Sequence, residues 1–123
     1  MATAKLTRDK TTADTSIDSV VIVKVLATLP GGRTLDVTGF ADDEISAGHL
    51  IIEETSTGEL KPLPVNGTLP GSHTYKGVLI ASKLTSDPRA AIMLSGTVNE
   101  AYMVYTVPSG AKTALTSINF INA

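Results

Sequence analysis

The apolar runs of this chain are short, rich in β-branched residues, and closed by glycine or proline. The longest covers residues 20–29, and Lys24 and Thr28 interrupt it. A membrane-spanning helix needs about 20 apolar residues, so no membrane partner is expected. Valine and isoleucine are frequent and there are 17 threonines, side chains that suit a pleated, half-buried surface. A chain of 123 residues makes one domain, and area scaling buries about two thirds of its unfolded surface. That is enough for a core without metals or staples. Aromatics make up only 4% and tryptophan is absent, so the core must be built from smaller side chains. The expected fold class is mainly β: a small, compact, strongly bent antiparallel β domain, barrel-like or β-clip-like. One or two short helices are expected near the C-terminus, with a flexible arm at the N-terminus.

The expected organisation is an arm over residues 1–16 and a single β-rich domain over 17–123. Residues 1–16 are polar and threonine-rich, with Leu6 the main apolar side chain. Such a segment buries too little surface to offset the entropy of ordering it. It also lacks the apolar core of a secretion signal. Residues 17–28 read as the strongest strand, with 20–23 apolar on both faces and therefore expected to be buried on both sides. Pro30, Gly31 and Gly32 close it, and residues 33–40 alternate as a half-buried strand paired to it. Residues 49–54 and 59–63 read as hairpin partners joined by a turn at Ser56, Thr57 and Gly58. Residues 62–74 hold three prolines and two glycines and are expected to be the most exposed long loop. Residues 75–81 and 89–98 read as further strands, the second bending at Gly96. Asn99 is placed to cap a short helix, residues 109–117 hold a second helical turn or two, and 118–121 a last strand.

Catalytic equipment is sparse. There are no cysteines, which excludes disulfides and thiolate metal sites. His49 and His73 are the only histidines, 24 positions apart and in no metal-binding spacing. Each reads as an ordinary surface or edge residue. Asp42, Asp43 and Glu44 form a solvated acidic turn without the alternation of a calcium loop. Glu53 and Glu54 point to opposite faces of a strand and make no carboxylate pair. No GxSxG elbow and no phosphate loop is present. Ten basic against twelve acidic residues leave a net charge of -2, too balanced for a nucleic-acid binder. The expectation is a non-enzymatic protein with no cofactor and no metal.

Four stretches occur in order: 45–51 (ISAGHLI), 57–62 (TGELKP), 75–79 (YKGVL) and 91–99 (AIMLSGTVN). Gly48 and Gly58 suit turns with positive φ. Gly77 and Gly96 lie inside strands, where a missing side chain permits a bulge or a close backbone approach. Over residues 35–105 this order resembles the bacteriophage head decoration proteins of the lambda type and the related head-fibre base proteins. The chain departs from that pattern in its longer 62–74 loop, its helix-like stretch after Asn99 and its lack of an aromatic-rich loop. The resemblance implies a virion structural protein on the outer capsid surface, present in the host cytoplasm during assembly. It further implies a homotrimer bound to the major capsid protein where several subunits meet. Contact with the capsid is then expected from the arm, at Leu6, Thr7 and Arg8, with Ile17 and Val20 fixing where the arm leaves the domain. The other readings are a head-fibre base or tail-associated component, disfavoured by the lack of a collagen-like or heptad extension before Ala123, and a small-ligand- or carbohydrate-binding β module using the 62–74 loop and Tyr75.

Overall fold

A computed structural model describes residues 18–29, 33–38, 40–65, 67–86 and 88–122. The flexible-arm expectation for 1–16, and the turn at 30–32, lie outside them. In chain order the elements are α1 (Asp18–Val21), β1 (Ile22–Thr28), β2 (Arg33–Thr34), β3 (Glu44–Ile45), β4 (Leu50–Glu54) and β5 (Leu60–Pro62). Then come β6 (His73–Leu79), β7 (Lys83–Leu84), β8 (Arg89–Ala90), β9 (Ile92–Asn99), a 3-10 turn over Glu100–Tyr102, α2 (Ser109–Ala114) and β10 (Ile118–Ile121). The protein is mainly β, as its composition predicts.

Strand β9 organises the main sheet, whose order is β1-β9-β6-β4-β5. One side of β9 carries β1 antiparallel along its length. The other side is shared: β6 pairs with its start at Ile92 and Met93, and β10 runs parallel to its end over Gly96 to Asn99. Two small ladders, β2 with β8 and β3 with β7, lie apart from this sheet.

The central strands are buried on both faces, and alternation sorts their side chains into two cores. Leu50 and Ile52 of β4, Val78 of β6, and Met93 and Val98 of β9 join Val21, Leu63, Val107, Ala111, Leu115 and Ile118. Ile51, Leu79 and Ile92 point the other way, to Leu35, Ile45, Leu60 and Ala90. Met93 and Val98 are an odd number of residues apart yet share one core. Strict alternation would separate them, so the strand must slip between them, and the β1–β9 register does shift at Val25/Ala27 and again at Ala27/Thr28. Those slips bend the sheet, and a similar shift lies between Ile51 and Ile52 in β4 against β6.

Three expectations need correction. Val20 and Val21 lie in a helical turn, and the strand that follows is an edge: Val23 is 51% exposed and Leu26 65%. A run of β-branched residues looks the same in sequence whether a sheet surrounds it or ends with it. Among its described residues the segment 33–40 does not pair with β1; of these only Arg33 and Thr34 are in a ladder, with β8. Leu35 is instead buried in the second core, and Val37 and Phe40 of the same segment pack against it. The 62–74 loop is not mainly exposed, because Leu63 is buried in the first core and Leu69 packs against it. The C-terminal expectations match: Asn99 caps the 3-10 turn by accepting from the Ala101 amide at 3.2 Å, and α2 and β10 fall where expected.

Candidate functional site

Of the residues expected to touch a capsid, Leu6, Thr7, Arg8 and Ile17 lie outside the described residues. Val20 is described, on α1, with 41% of its surface exposed. The next residue, Val21, is buried in the first core against Leu50, Val98 and their neighbours. Adjacent positions on one helical turn thus divide between solvent and core, which fixes where the preceding chain must enter.

A second tie comes from Asp18, a residue the sequence reading passed over. Its carboxylate accepts from the Ser82 amide at 2.8 Å and from the Ser82 hydroxyl at 2.7 Å. The same hydroxyl oxygen accepts from the Ala47 amide at 3.0 Å. Ser82 is buried, so these bonds satisfy polar groups that water does not reach freely. The carboxylate therefore pins α1 to Ser82, and the Ser82 hydroxyl carries the tie on to Ala47. The sequence signal is an aspartate and a serine, Asp18 and Ser19, just before the apolar run that begins at Val20, where a helix start is favoured.

β1 continues from this anchor as an exposed strip. All six residues from Val23 to Thr28 are exposed, and among the described residues β1 pairs only with β9.

The expectation that His49 is an edge residue fails. His49 is 7% exposed, and its Nε2–H donates to the Leu63 carbonyl at 2.7 Å. Its ring meets Phe40 edge-on at 5.4 Å and Tyr105 at 5.8 Å. Tyr105 in turn donates to Asp42 of the acidic turn. That hydrogen bond pushes the Tyr105 phenol up from its ordinary value, with burial and the Asp42 charge adding to it. The cluster joins the 36–44 segment, the 62–65 loop and the 103–107 segment around one imidazole. The adjoining cavity, lined by Leu63, Pro64 and Met103 among others, is about 20 Å³, room for a single water. A more open cleft of about 240 Å³ lies between Asp36, Phe40, Lys61 and Val65. Among the described residues no three His, Asp or Glu side chains gather in a way that could hold a metal.

Burial lowers the His49 pKa from its ordinary 6.5, outweighing the Leu63 carbonyl and the Asp42 charge, which raise it. The folded state therefore resists the proton that the unfolded chain takes up. This contribution to stability is complete above about pH 6.5 and is lost as the pH falls from there toward the depressed folded value. Its slope is at most about 1.4 kcal/mol per pH unit. Urea midpoints measured between pH 7.5 and 5 should fall, and the fall should flatten in His49→Phe. An equal fall in both proteins would contradict this assignment.

The two other notable charge contacts are peripheral. Lys76 sits 3.8 Å from Glu53, and Lys112 lies 2.9 Å from Glu100. Neither is placed to do chemistry, and partly exposed pairs contribute little. What the described residues offer is a bent, two-cored sheet with a pinned N-terminal root and an apolar edge. Comparison with protein-family models, with curated proteins and with solved structures finds no match to this chain.

Proposed function

We propose that this chain is a non-catalytic structural protein of a phage virion, which decorates the outer capsid surface and stabilises it. It would sit as a homotrimer at junctions of the major capsid protein and bridge neighbouring subunits. The observation that carries the reading is the ordered set of glycine-led stretches at 45–51, 57–62, 75–79 and 91–99. What else supports it is the build: a small, bent, mainly β body whose first turn, α1, is anchored through Asp18 and Val21. Adhesion would come from buried apolar area and from strand addition by the N-terminal segment. Three linked contacts bind far more tightly than one, since the second and third form at high effective concentration. The small-ligand reading is weaker, because the cavity beside the 62–65 loop holds only a water and the open cleft is smaller than most ligand sites.

The test is binding to heads stripped of decoration, with mass by light scattering. The expected mass is three times the 12.8 kDa chain, about 38 kDa. Deleting residues 2–14 should leave the fold intact and weaken retention on shells by roughly tenfold or more. A protein that stays monomeric and is not retained on shells would refute the proposal. Unchanged affinity after the deletion would remove the arm from the contact.

A further inference from the structure

We propose that residues 103–106 form a leaf that is closed over His49 at neutral pH and lifts when the imidazole gains a proton. This is a local opening of the fold. It is distinct from the effect of His49 on global stability and independent of the capsid role.

The imidazole is walled on three sides. The Leu63 carbonyl accepts from its Nε2–H at 2.7 Å, Phe40 meets it edge-on at 5.4 Å, and Tyr105 does so at 5.8 Å. Two of these walls are fixed by other contacts. Leu63 is buried in the first core, and its amide donates to the Leu50 carbonyl at 2.9 Å. Phe40 packs against the second core, and its amide closes a turn onto the Val37 carbonyl at 3.0 Å. The third wall has less hold. Residues 103–106 lie in no helix or strand, between the 3-10 turn and α2, and Val104 is 58% exposed. The stretch is tied by the Met103 amide to the Glu100 carbonyl at its start, by Tyr105 to Asp42, and by the packing of Met103 over Gly48. Val107, buried in the first core, ends it.

Protonation acts on that weakest wall. With Nε2–H committed to Leu63, an incoming proton takes Nδ1 and makes the ring a cation with a second donor. A cation in an enclosed site is costly unless it is paired or hydrated. The 62–65 loop, the strand entry at 46–50 and the end of β6 at Leu79 bring no other charged side chain to the ring. The 36–44 segment brings Asp42, with Asp43 and Glu44 beside it, and the 103–107 segment brings the Tyr105 hydroxyl. Asp42 is already engaged by Tyr105. The imidazolium draws Asp42 from Tyr105 or takes water through the adjoining cavity of about 20 Å³; both routes release Tyr105, and the leaf lifts.

Linkage sets the size of the response. In the open form the hydrated imidazole has its ordinary value of about 6.5, while burial holds the closed form below that. The open form therefore takes the proton more readily. Opening is favoured as the pH falls through about 6.5 and levels off at the lower value of the closed form. Between pH 7.5 and 5.5 the gain is up to about tenfold.

The chain has no cysteine, so one introduced thiol reports on one site. Ala47 is 3% exposed and lines the same cavity as residues 103–106, whereas Ala111 is completely buried in the first core. The test measures attack by an aromatic disulfide on Ala47→Cys and on Ala111→Cys in the full chain. Each rate is divided by that of the same thiol in concentrated urea at the same pH, which removes the pH dependence of the thiolate. Opening at position 47 should rise by up to about tenfold from pH 7.5 to 5.5. It should ignore small additions of urea, since a lifting leaf exposes little surface. Attack at position 111 should require unfolding and climb with urea. Ala47→Cys/His49→Phe should lose the pH dependence. Ala47→Cys/Tyr105→Phe should open about fivefold more at either pH and keep the dependence. Opening at 47 that ignores pH, keeps its slope without His49, or climbs with urea as at 111 would overturn the proposal. In the parent, the NMR signals of the Tyr105 ring should move with the titration of His49. A histidine that titrates while those signals stay still would overturn it as well.

Discussion

Gly96→Ala should destabilise the protein by about 3 kcal/mol, a large share of the roughly 6–15 kcal/mol expected for a domain of this size. Two independent costs add at this position. Its φ of +153° belongs to a region that residues with a β-carbon rarely occupy, worth about 1–3 kcal/mol in strain. A β-carbon there would also lie 2.2 Å from the Lys24 carbonyl oxygen and 2.6 Å from the Met93 sulfur. The sulfur sits on a flexible side chain and can move. The carbonyl is backbone of β1 and can move only if β1 separates from β9. Gly77→Ala meets a similar obstacle, the Met93 carbonyl at 2.3 Å, where β6 crosses the start of β9, and overpacking of this kind costs about 1–3 kcal/mol. Gly71→Ala is the control, since nothing lies within 4 Å of a β-carbon at that turn. Urea denaturation should place Gly96→Ala lowest, Gly77→Ala between, and Gly71→Ala within about 0.5 kcal/mol of the parent. Equal midpoints for all three would show that β9 does not depend on these close approaches.

The same glycines show how much of the fold was legible. Gly77 and Gly96 read in sequence as places where strands bend or approach, and both do. Gly48 and Gly58 read as turn positions with positive φ, and they have φ of +89° and +76°. Glycine is informative because its requirement is local: backbone conformation and crowding are decided within a few residues. Burial is decided elsewhere. Val23 and Ile51 are both β-branched residues in apolar runs, yet Val23 is half exposed and Ile51 is completely buried. What separates them is strand order, set by pairing partners some 70 residues away for β1 and by two closer strands for β4. No property of residues 20–28 alone encodes that order.

Polar residues mislead for a related reason. In sequence His49 reads as a surface or edge residue because it begins a strand. It is buried because the 62–65 loop folds back and supplies the Leu63 carbonyl. Its place directly before Leu50, Ile51 and Ile52 was the available signal, since the strand entry of a fully buried run is itself drawn inward. Val20 is exposed, and a larger apolar surface follows it on β1, where the sequence pattern points to interior.

Asp18→Ala should cost about 2–3 kcal/mol and should loosen the N-terminal root before the rest of the sheet. The substitution removes two hydrogen bonds made by an ionised acceptor, worth more than neutral ones, and leaves the buried Ser82 amide and hydroxyl without that partner. An orphaned buried donor carries its full desolvation penalty. Ser82→Ala cuts the same knot from the other side, since it also deprives the Ala47 amide of its acceptor. The two changes remove overlapping interactions, so the double variant should be less destabilised than the sum of the singles by about 1 kcal/mol or more. Additive effects would mean that the carboxylate and the serine act separately. The consequence for function runs through Val21. With Asp18 released, α1 loses its one polar tie among the contacts described and keeps the burial of Val21, and amide exchange over α1 and the start of β1 should quicken while the β4–β6 ladder keeps its protection. On the proposed capsid role, Asp18→Ala should also weaken retention on shells.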